Sequence, residues 1–149
     1  MREATPADAS VLHALLEILG RPRADPPSPA QGDGLAACMT DPACRLLVAE
    51  RAGRTVGMAA VWFRARLNHD TPEAWIADLV VHPDARRRGV GAALVAAARA
   101  EAEARDCHML RLESGHARTA SHRMYEGLGF VDAGISFQLR LRPGPGRSP

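Results

Sequence analysis

Several features that mark other classes of protein are scarce in these 149 residues. Aromatic residues make up only 4% of the chain, and they do not interleave with basic residues as they do in many proteins that stack on nucleic-acid bases. The charges nearly cancel, with 19 basic and 17 acidic side chains and a net charge of +2, which is too balanced for a typical nucleic-acid binder. No apolar run approaches 18 residues, so we expect no membrane-spanning helix. Neither nucleic acid nor a membrane is therefore an expected partner.

Cysteine is also rare, and its spacing excludes two further classes. The three cysteines, Cys38, Cys44 and Cys107, are an odd number without zinc-ligand spacing, so they favour reduced thiols and no metal site. The N-terminus lacks the apolar core of a signal peptide. Together these observations favour a cytoplasmic protein.

What the chain has is the composition of one soluble domain. The apolar fraction is 46% and the charged fraction 24%, both ordinary values for a globular protein. A chain of this length buries roughly 68–70% of the surface of its unfolded form, which is enough for one core. We expect a single domain over residues 1–142 and a disordered tail, rich in proline and glycine, at 143–149.

Hydrophobic periodicity predicts helices and strands mixed along this domain. Strands are expected at residues 1–4, 44–51, 55–64, 74–81 and 108–113, with one or two more over 130–141, kinked near Gly134. Helices are expected at 6–19, 35–40, 89–105 and 119–127. Residues 21–34 hold four prolines and are expected to form an irregular loop. This order predicts an α/β (α+β) fold with helices around one sheet.

Residues 78–94, DLVVHPDARRRGVGAAL, carry the strongest functional signal. A strand ends at Pro83, arginines follow at 86–88, and an alanine-rich helix begins directly after them. The first turn of a helix has unpaired N–H groups and the positive end of the helix dipole. Gly89 and Gly91 lack the Cβ that would keep a phosphate oxygen away from the backbone. The stretch predicts an anion site; the alternative is an ordinary strand-to-helix turn with solvated arginines.

This spacing matches neither of two common phosphate loops. A P-loop has Lys-Ser/Thr after its last glycine, and a dinucleotide fingerprint needs a third glycine at the position that Leu94 occupies here. The stretch instead resembles the Arg/Gln-x-x-Gly-x-Gly/Ala pyrophosphate loop of the GNAT superfamily of N-acetyltransferases. Arg86, Gly89 and Gly91 stand at its three defining positions.

A second segment, residues 121–130 (SHRMYEGLGF), resembles a later motif of the same family, a short helix that carries a tyrosine and ends in Gly-Phe. The resemblance implies that Tyr125 protonates the thiolate of coenzyme A as it leaves; the alternative is an aromatic side chain that packs on the core. The chain departs from the pattern at Arg118, where many members have an asparagine that touches the pantetheine arm. Either that contact is lost or Arg118 binds a phosphate of the cofactor.

The resemblance covers about residues 1–141 and implies the GNAT fold. In that fold about four helices flank a mixed central sheet of about six to seven strands, splayed between the fourth and fifth strands. Acetyl-CoA is then the co-substrate, and its pantetheine arm lies in the opening. No metal is expected. The residues expected to bind acetyl-CoA are Leu79, Val80, Val81, Arg86, Arg87, Arg88, Gly89, Val90, Gly91, Ala92, Arg118 and Ser121.

The carboxylates Asp78 and Glu113 are, in that order, the candidates for the basic side of the reaction, and Tyr125 is the candidate acid. Strand alternation places Asp78 with Ile76 and Val80, among apolar neighbours, where a carboxylate is costly unless it is paired or near water. Family members often carry an acidic residue on this strand. Asp78 is otherwise a structural residue bonded to loop N–H groups, and Glu113 a solvent-facing strand end.

The resemblance implies an N-acetyltransferase that transfers an acetyl group to a primary amine, and a small-molecule acceptor is favoured. The alternatives are a protein or peptide amine as acceptor, or a non-catalytic acyl-CoA-binding sensor. Arg64 and Arg66 precede the central strand; they either favour an acceptor with an additional anionic group or are simply exposed charges. Relatives often form dimers through late strands, so a homodimer is one expectation, although the sequence does not settle the quaternary state.

Overall fold

The computed structural model describes residues 1–21, 34–137 and 139. The predicted loop falls mostly on residues 22–33, which lie outside this range, as does the predicted tail at 143–149. None of the helices in the described part is long and apolar enough to cross a bilayer. The strands in this part are β1 (Arg2–Glu3), β2 (Cys44–Arg51), β3 (Arg54–Arg64), β4 (Glu73–Val81) and β5 (Met109–Leu112). The α-helices are α1 (Ala9–Leu19), α2 (Gly34–Thr40), α3 (Val90–Ala104) and α4 (Thr119–Gly127), with 3-10 turns at Pro6–Asp8 and Pro83–Ala85.

The strands form one mixed sheet between two layers of helices. Their order is β1-β2-β3-β4-β5; the first four are antiparallel neighbours, and β5 runs parallel to β4. Alternate residues of β3 face opposite layers, as the two-residue period of a strand requires: Val61 packs in the cluster with α3, and Met58 packs in the cluster with α1 and α2. This arrangement confirms the predicted α/β class.

The register of β4 shifts by one residue in its middle. Ala60 of β3 pairs with Asp78, but the next residue, Val61, pairs with Ile76, so Ala77 is an extra residue, a β-bulge. Because of this shift, Ile76 packs with α3 while Val80 packs with α1 on the opposite face. Asp78 therefore shares a face with Val80 and not with Ile76. The expectation that all three lie on one face is wrong because alternation holds only through an unbroken strand.

Beyond this bulge the sheet opens. β4 and β5 pair from Glu73 with Met109 to Ile76 with Leu112, where β5 ends while β4 continues to Val81. The second half of β4 thus has β3 on one side and an opening on the other. This confirms the predicted splay between the fourth and fifth strands.

A buried carboxylate fastens the closed end of this opening. Glu73 is 1% exposed, and its two oxygens accept hydrogen bonds from Arg64 of β3 at 2.7 Å and Arg111 of β5 at 3.4 Å. Arg66 adds a contact at 3.8 Å. Burial alone would raise the pKa of Glu73, but these arginines outweigh it and hold the pKa below its ordinary value. The carboxylate is therefore ionised at neutral pH and links three strands at one point.

The terminal strands expected over residues 130–141 do not form within residues 130–137, so the described sheet has five strands and not six to seven. A strand persists only with a hydrogen-bonded neighbour. Here the N–H of Gly134 donates to the Asp132 carboxylate at 3.1 Å, and Gly134 has a φ of 132°, so the chain turns locally. The predicted kink at Gly134 is present, but the strands around it are not.

Gly57 lies where α3 packs closely against the sheet. A Cβ added to Gly57 of β3 would lie 2.9 Å from the carbonyl oxygen of Val80 and 3.2 Å from Leu94 Cδ1 of α3. We expect Gly57→Ala to lower the free energy of unfolding by about 1–3 kcal/mol, because the backbone oxygen cannot move without disturbing the sheet. Urea denaturation measures this change. In Gly34→Ala the added Cβ meets no described atom within 4 Å, so this variant should match the wild type; equal stability of both variants would contradict the expected clash.

Candidate active site

The turn between β4 and α3 presents a row of unpaired backbone N–H groups. Arg87 has a φ of 60° and Gly89, the N-cap of α3, a φ of 76°. Such left-handed residues within a turn make successive N–H groups converge into a concave anion site. The helical hydrogen bonds start with the N–H of Ala93, which donates to the carbonyl of Gly89 at 2.9 Å. The N–H groups of residues 90–92 therefore have no acceptor within the helix. The N–H groups of Val90, Gly91 and Ala92 are thus free of helix acceptors, and their binding of acetyl-CoA stays a prediction.

The two glycines of this turn have different roles. Beside Gly89, a Cβ would meet no described atom within 4 Å, so the space next to its backbone is open. At Gly91, a Cβ would lie 3.3 Å from Met124 Sδ and 3.8 Å from Val81 Cγ2. Gly91 thus lets α4 pack against the start of α3. The sequence interpretation, which assigned both glycines to the approach of a phosphate, missed this packing role.

The three arginines of the turn also differ in their contacts. Arg86 donates a hydrogen bond from Nε to the carbonyl of Val81 at 3.1 Å, so its guanidinium ties the turn to the end of β4. Arg87 and Arg88 are exposed beside the turn. These two side chains supply positive charge where the free N–H groups converge.

Alternation along β4 decides which backbone groups face the opening. The N–H of His82 donates to Val56 of β3 at 2.8 Å, so every second residue from His82 pairs with β3. Leu79 and Val81 then turn their N–H and carbonyl groups toward the opening. Val80 pairs with β3, and its side chain is buried beneath α1, so it faces away from the opening. Of the three residues predicted on this strand, Leu79 and Val81 face the opening, although the Val81 carbonyl already accepts the hydrogen bond from Arg86. Binding of the ligand by these residues stays a prediction.

Tyr125 lies on the α3 side of the opening. It packs on the cluster beneath α3 and touches Phe130, with the ring centroids 5.9 Å apart. Burial raises the pKa of Tyr125 above its ordinary value, although the charge of Arg118 opposes part of this change. The phenol is therefore fully protonated at neutral pH. Arg118 is exposed at the start of α4, and Ser121 is partly buried in its first turn.

Asp78 lies on the other face of the sheet, toward α1 and α2. Burial raises the pKa of Asp78, and Arg21, with which it forms an ion pair, partly offsets the shift. A raised pKa makes the carboxylate a better proton acceptor. Glu113, the second candidate, is exposed one residue past the end of β5. The bulge thus separates Asp78 from Tyr125 across the sheet, with the opening between them.

Sequence reasoning missed several polar groups near this opening. Among the described residues, two buried side-chain atoms, Trp75 Nε1 and Ser114 Oγ, have no hydrogen-bond partner, whereas the buried Asp78 Oδ1 has only the ion pair with Arg21. Arg21 was also missed, since no local pattern connects it to Asp78. Arg64 and Arg66 point to the buried Glu73. Their charge is therefore partly neutralised by the protein, which weakens the case that they recognise an anionic acceptor.

Comparison with known proteins shows to which family the chain belongs. The model of the acetyltransferase (GNAT) family matches residues 10–130. The chain belongs to the GNAT acetyltransferase family. It is accordingly an N-acetyltransferase whose co-substrate is acetyl-CoA.

The similarity of this GNAT enzyme to its relatives extends over nearly the whole chain. An aminoalkylphosphonate N-acetyltransferase from Salmonella typhimurium is 31% identical over 141 residues, which are 95% of this chain and 90% of the relative. An aminoglycoside N(6')-acetyltransferase type 1 from Stenotrophomonas maltophilia is 30% identical, over 96% of this chain and 94% of its own. The structure of a transcriptional regulator from Bacillus halodurans C-125 superposes with a TM-score of 0.84 at 28% identity, covering 94% of this chain and 97% of that one.

The turn can be tested with a pair of matched substitutions. We expect Gly89→Asp to weaken acetyl-CoA binding by at least about tenfold relative to Gly89→Asn, because it places a negative charge beside the N–H groups that are predicted to bind the diphosphate. Asn and Asp have nearly the same shape and are the side chains that best tolerate a positive φ. Titration calorimetry gives both affinities, and thermal melting checks that both variants fold. Equal affinities in the two variants would remove the diphosphate from this turn.

Proposed function

We propose that this enzyme acetylates the primary amine of a small molecule by direct attack of the amine on the thioester of acetyl-CoA. The observation that carries this proposal is the bulge at Ala77. It opens the sheet beside Leu79 and Val81 and places a carboxylate and a phenol on opposite faces of that opening. A direct transfer needs three parts: a slot that holds the acetyl donor, a group that accepts a proton from the amine, and an acid that protonates the leaving thiolate.

The donor side is formed by the turn and the free edge of β4. The N–H groups of residues 90–92 and the charges of Arg87 and Arg88 suit a diphosphate. The N–H and carbonyl of Leu79 and the N–H of Val81 suit the amides of a pantetheine arm, in the way that an added strand pairs with a sheet edge, while the Val81 carbonyl is held by Arg86. Acetyl-CoA supplies the activated acetyl group. Arg118 and Ser121, at the start of α4, are proposed to contact the same ligand.

The acceptor side is formed by Asp78. An alkylammonium ion has a pKa of about 10.4, so its deprotonation at pH 7 costs about 4.6 kcal/mol. A carboxylate at the attacking position binds the ammonium and accepts its proton, directly or through water. Arg21 now occupies this carboxylate as an ion pair, in the manner that a substrate cation would. Glu113 is the second proposed acceptor of the proton, and its exposure makes it the weaker one.

The proton that restores the thiol comes from Tyr125. Its phenol lies on the α3 side, where the donor slot is, and burial keeps it protonated. The amine therefore arrives from one face of the sheet and the thiolate leaves toward the other. The two proton transfers thus involve separate groups on different faces of the sheet.

Two relatives support a small amine as the acceptor. One is an aminoalkylphosphonate N-acetyltransferase and the other an aminoglycoside N(6')-acetyltransferase. Both names describe acetyl transfer to amines of small molecules, one anionic and one cationic. A protein or peptide amine as the acceptor remains the second proposal for this chain.

An amine panel tests the proposed reaction. We expect release of coenzyme A thiol from acetyl-CoA, with an equal amount of N-acetylated product, for at least one of the aminoalkylphosphonates, aminoglycosides, amino acids and polyamines. Thiol reagents and mass spectrometry measure the two products. Turnover only with peptides would move the acceptor to the protein class. Tight acetyl-CoA binding without turnover for every small amine and peptide would contradict the proposed reaction.

Tyr125→Phe tests the acid. We expect kcat to fall by about a hundredfold while the affinity for acetyl-CoA stays within about twofold, since only the hydroxyl is removed and the ring packing is kept. The raised pKa adds a signature. The phenol works while protonated, so the wild-type rate should decline only above the ordinary tyrosine pKa, and this alkaline decline should vanish in the variant. Wild-type turnover in the variant would assign the proton to water.

A further inference from the structure

Arg21 lies just past the end of α1, beside the carboxylate that is proposed to bind the amine. Gly20 ends the helix with a φ of 84°, and its N–H donates to the carbonyl of Glu17 at 2.9 Å. The N–H of Arg21 donates to the carbonyl of Leu16 at 2.8 Å, which completes a Schellman turn. This turn fixes the backbone from which the Arg21 side chain reaches Asp78.

The helix that carries Arg21 is packed on the sheet close to Asp78. Leu12 and Leu15 of α1 are 0% and 1% exposed, and they lie in one buried cluster with Val80 of β4. Val80 is two residues from Asp78 and on the same face of the strand. Because a helix moves as a unit, this packing also determines where its end lies. The ion pair of Arg21 with Asp78 therefore follows from the buried core.

This ion pair uses only part of each group. Nη1 of Arg21 contacts Oδ1 of Asp78, and this oxygen is buried. Within the part of the chain that the structure describes, the other oxygen, Oδ2, is not buried and accepts no hydrogen bond. The Arg21 side chain is 59% exposed, and a guanidinium has five N–H donors. An accessible carboxylate oxygen and an accessible guanidinium thus lie side by side.

The charge balance at this pair discriminates between classes of amine. Burial raises the pKa of Asp78, and among the described residues Arg21 is the one charged group that opposes this shift. Asp78 and Arg21 together carry no net charge. An ammonium ion at Oδ2 without a counter-charge would leave net positive charge beside the guanidinium, where like charges repel. An amine that carries its own anion adds no net charge.

We propose that Arg21 determines specificity: it binds a carboxylate or phosphonate group of the acceptor while Asp78 binds the ammonium group of the same molecule. The four charges then alternate in sign, from ammonium to Asp78 to Arg21 to the anion. A guanidinium suits this role because its planar fork matches carboxylate and phosphonate oxygens. Both ends of the acceptor hydrogen-bond to one ion pair, so a short spacer of about two to four carbon atoms separates them.

Amines of matched length test the role of Arg21, which rests on the proposed function because it assigns the substrate class of the same site. The test compares kcat/KM for 3-aminopropanoate, 2-aminoethylphosphonate and 3-aminopropanamide, whose far end is uncharged. We expect the wild type to favour at least one anionic amine over the amide by about tenfold or more, and Arg21→Gln to reduce this ratio to about twofold or less. Arg21→Lys keeps the charge but not the fork, so it should retain part of the ratio.

The ratio separates recognition of the anion from a purely structural role. If Arg21 only held Asp78 in place, Arg21→Gln would slow every acceptor and leave the ratio unchanged. Comparison of the same amines in different variants also cancels their intrinsic reactivity. Arg51→Gln is the matched control, since it removes an exposed arginine at the end of β2 and should keep the wild-type ratio.

A wild type that prefers neither anionic amine would overturn the role of Arg21, as would an unchanged ratio in Arg21→Gln. If the wild type acetylates no amine at all, the proposed function fails. Calorimetric titration of the same three amines into the enzyme saturated with coenzyme A then decides the role of Arg21. Tighter binding of an anionic amine that is lost in Arg21→Gln supports this role, whereas equal binding of all three amines, or of none, overturns it.

Discussion

A single extra residue in β4 determines the layout of the site. The bulge at Ala77 breaks the two-residue alternation, so that Asp78 and Val80 face α1 while Leu79 and Val81 belong to the α3 side. It also coincides with the last pair between β4 and β5, after which the sheet opens. A regular strand would place Asp78 on the face with Ile76, among the apolar residues beneath α3. The carboxylate would then share its face with Tyr125, and the two groups proposed as base and acid would not be separated by the sheet.

Different interactions stabilise the two ends of the opening beside β4. At the closed end, the buried Glu73 carboxylate draws arginines from β3, β5 and the loop between β3 and β4. At the other end, Arg86 donates to the carbonyl of Val81, and Gly91 allows Met124 to approach the first turn of α3. Neither interaction crosses the middle of the slot. The backbone groups of Leu79 therefore remain available for a ligand, although the strands on both sides are held.

Local patterns predicted most of the elements and the backbone of the turn before α3, whereas the roles of the site residues stay predictions. The strand at 44–51 and the helix at 119–127 have the predicted bounds, and the turn at 86–91 is built as expected, because caps, glycines and periodicity act over a few residues. The face of Asp78, its pairing with Arg21 and the packing role of Gly91 were not predictable. Each depends on contacts between residues far apart in sequence. The strands expected over 130–141 failed for a similar reason, since a strand pattern shows a capacity to pair but not the presence of a partner.

The two parts of the proposed site differ in how well buried residues support them. The turn at residues 86–91, which is proposed to bind the diphosphate, connects β4 to α3. These two elements and β3 share the buried core that contains Val61 and Leu94. The proposed acid stands on α4, which has no buried residue. Regions with few buried contacts open locally at low cost, whereas the core opens only with the whole domain. The turn proposed to bind the diphosphate is thus supported by the buried core, whereas the helix that carries Tyr125 has no buried residue to hold it. An acid that must be aligned within hydrogen-bond distance of a leaving thiolate gains rate from every contact that restricts its helix.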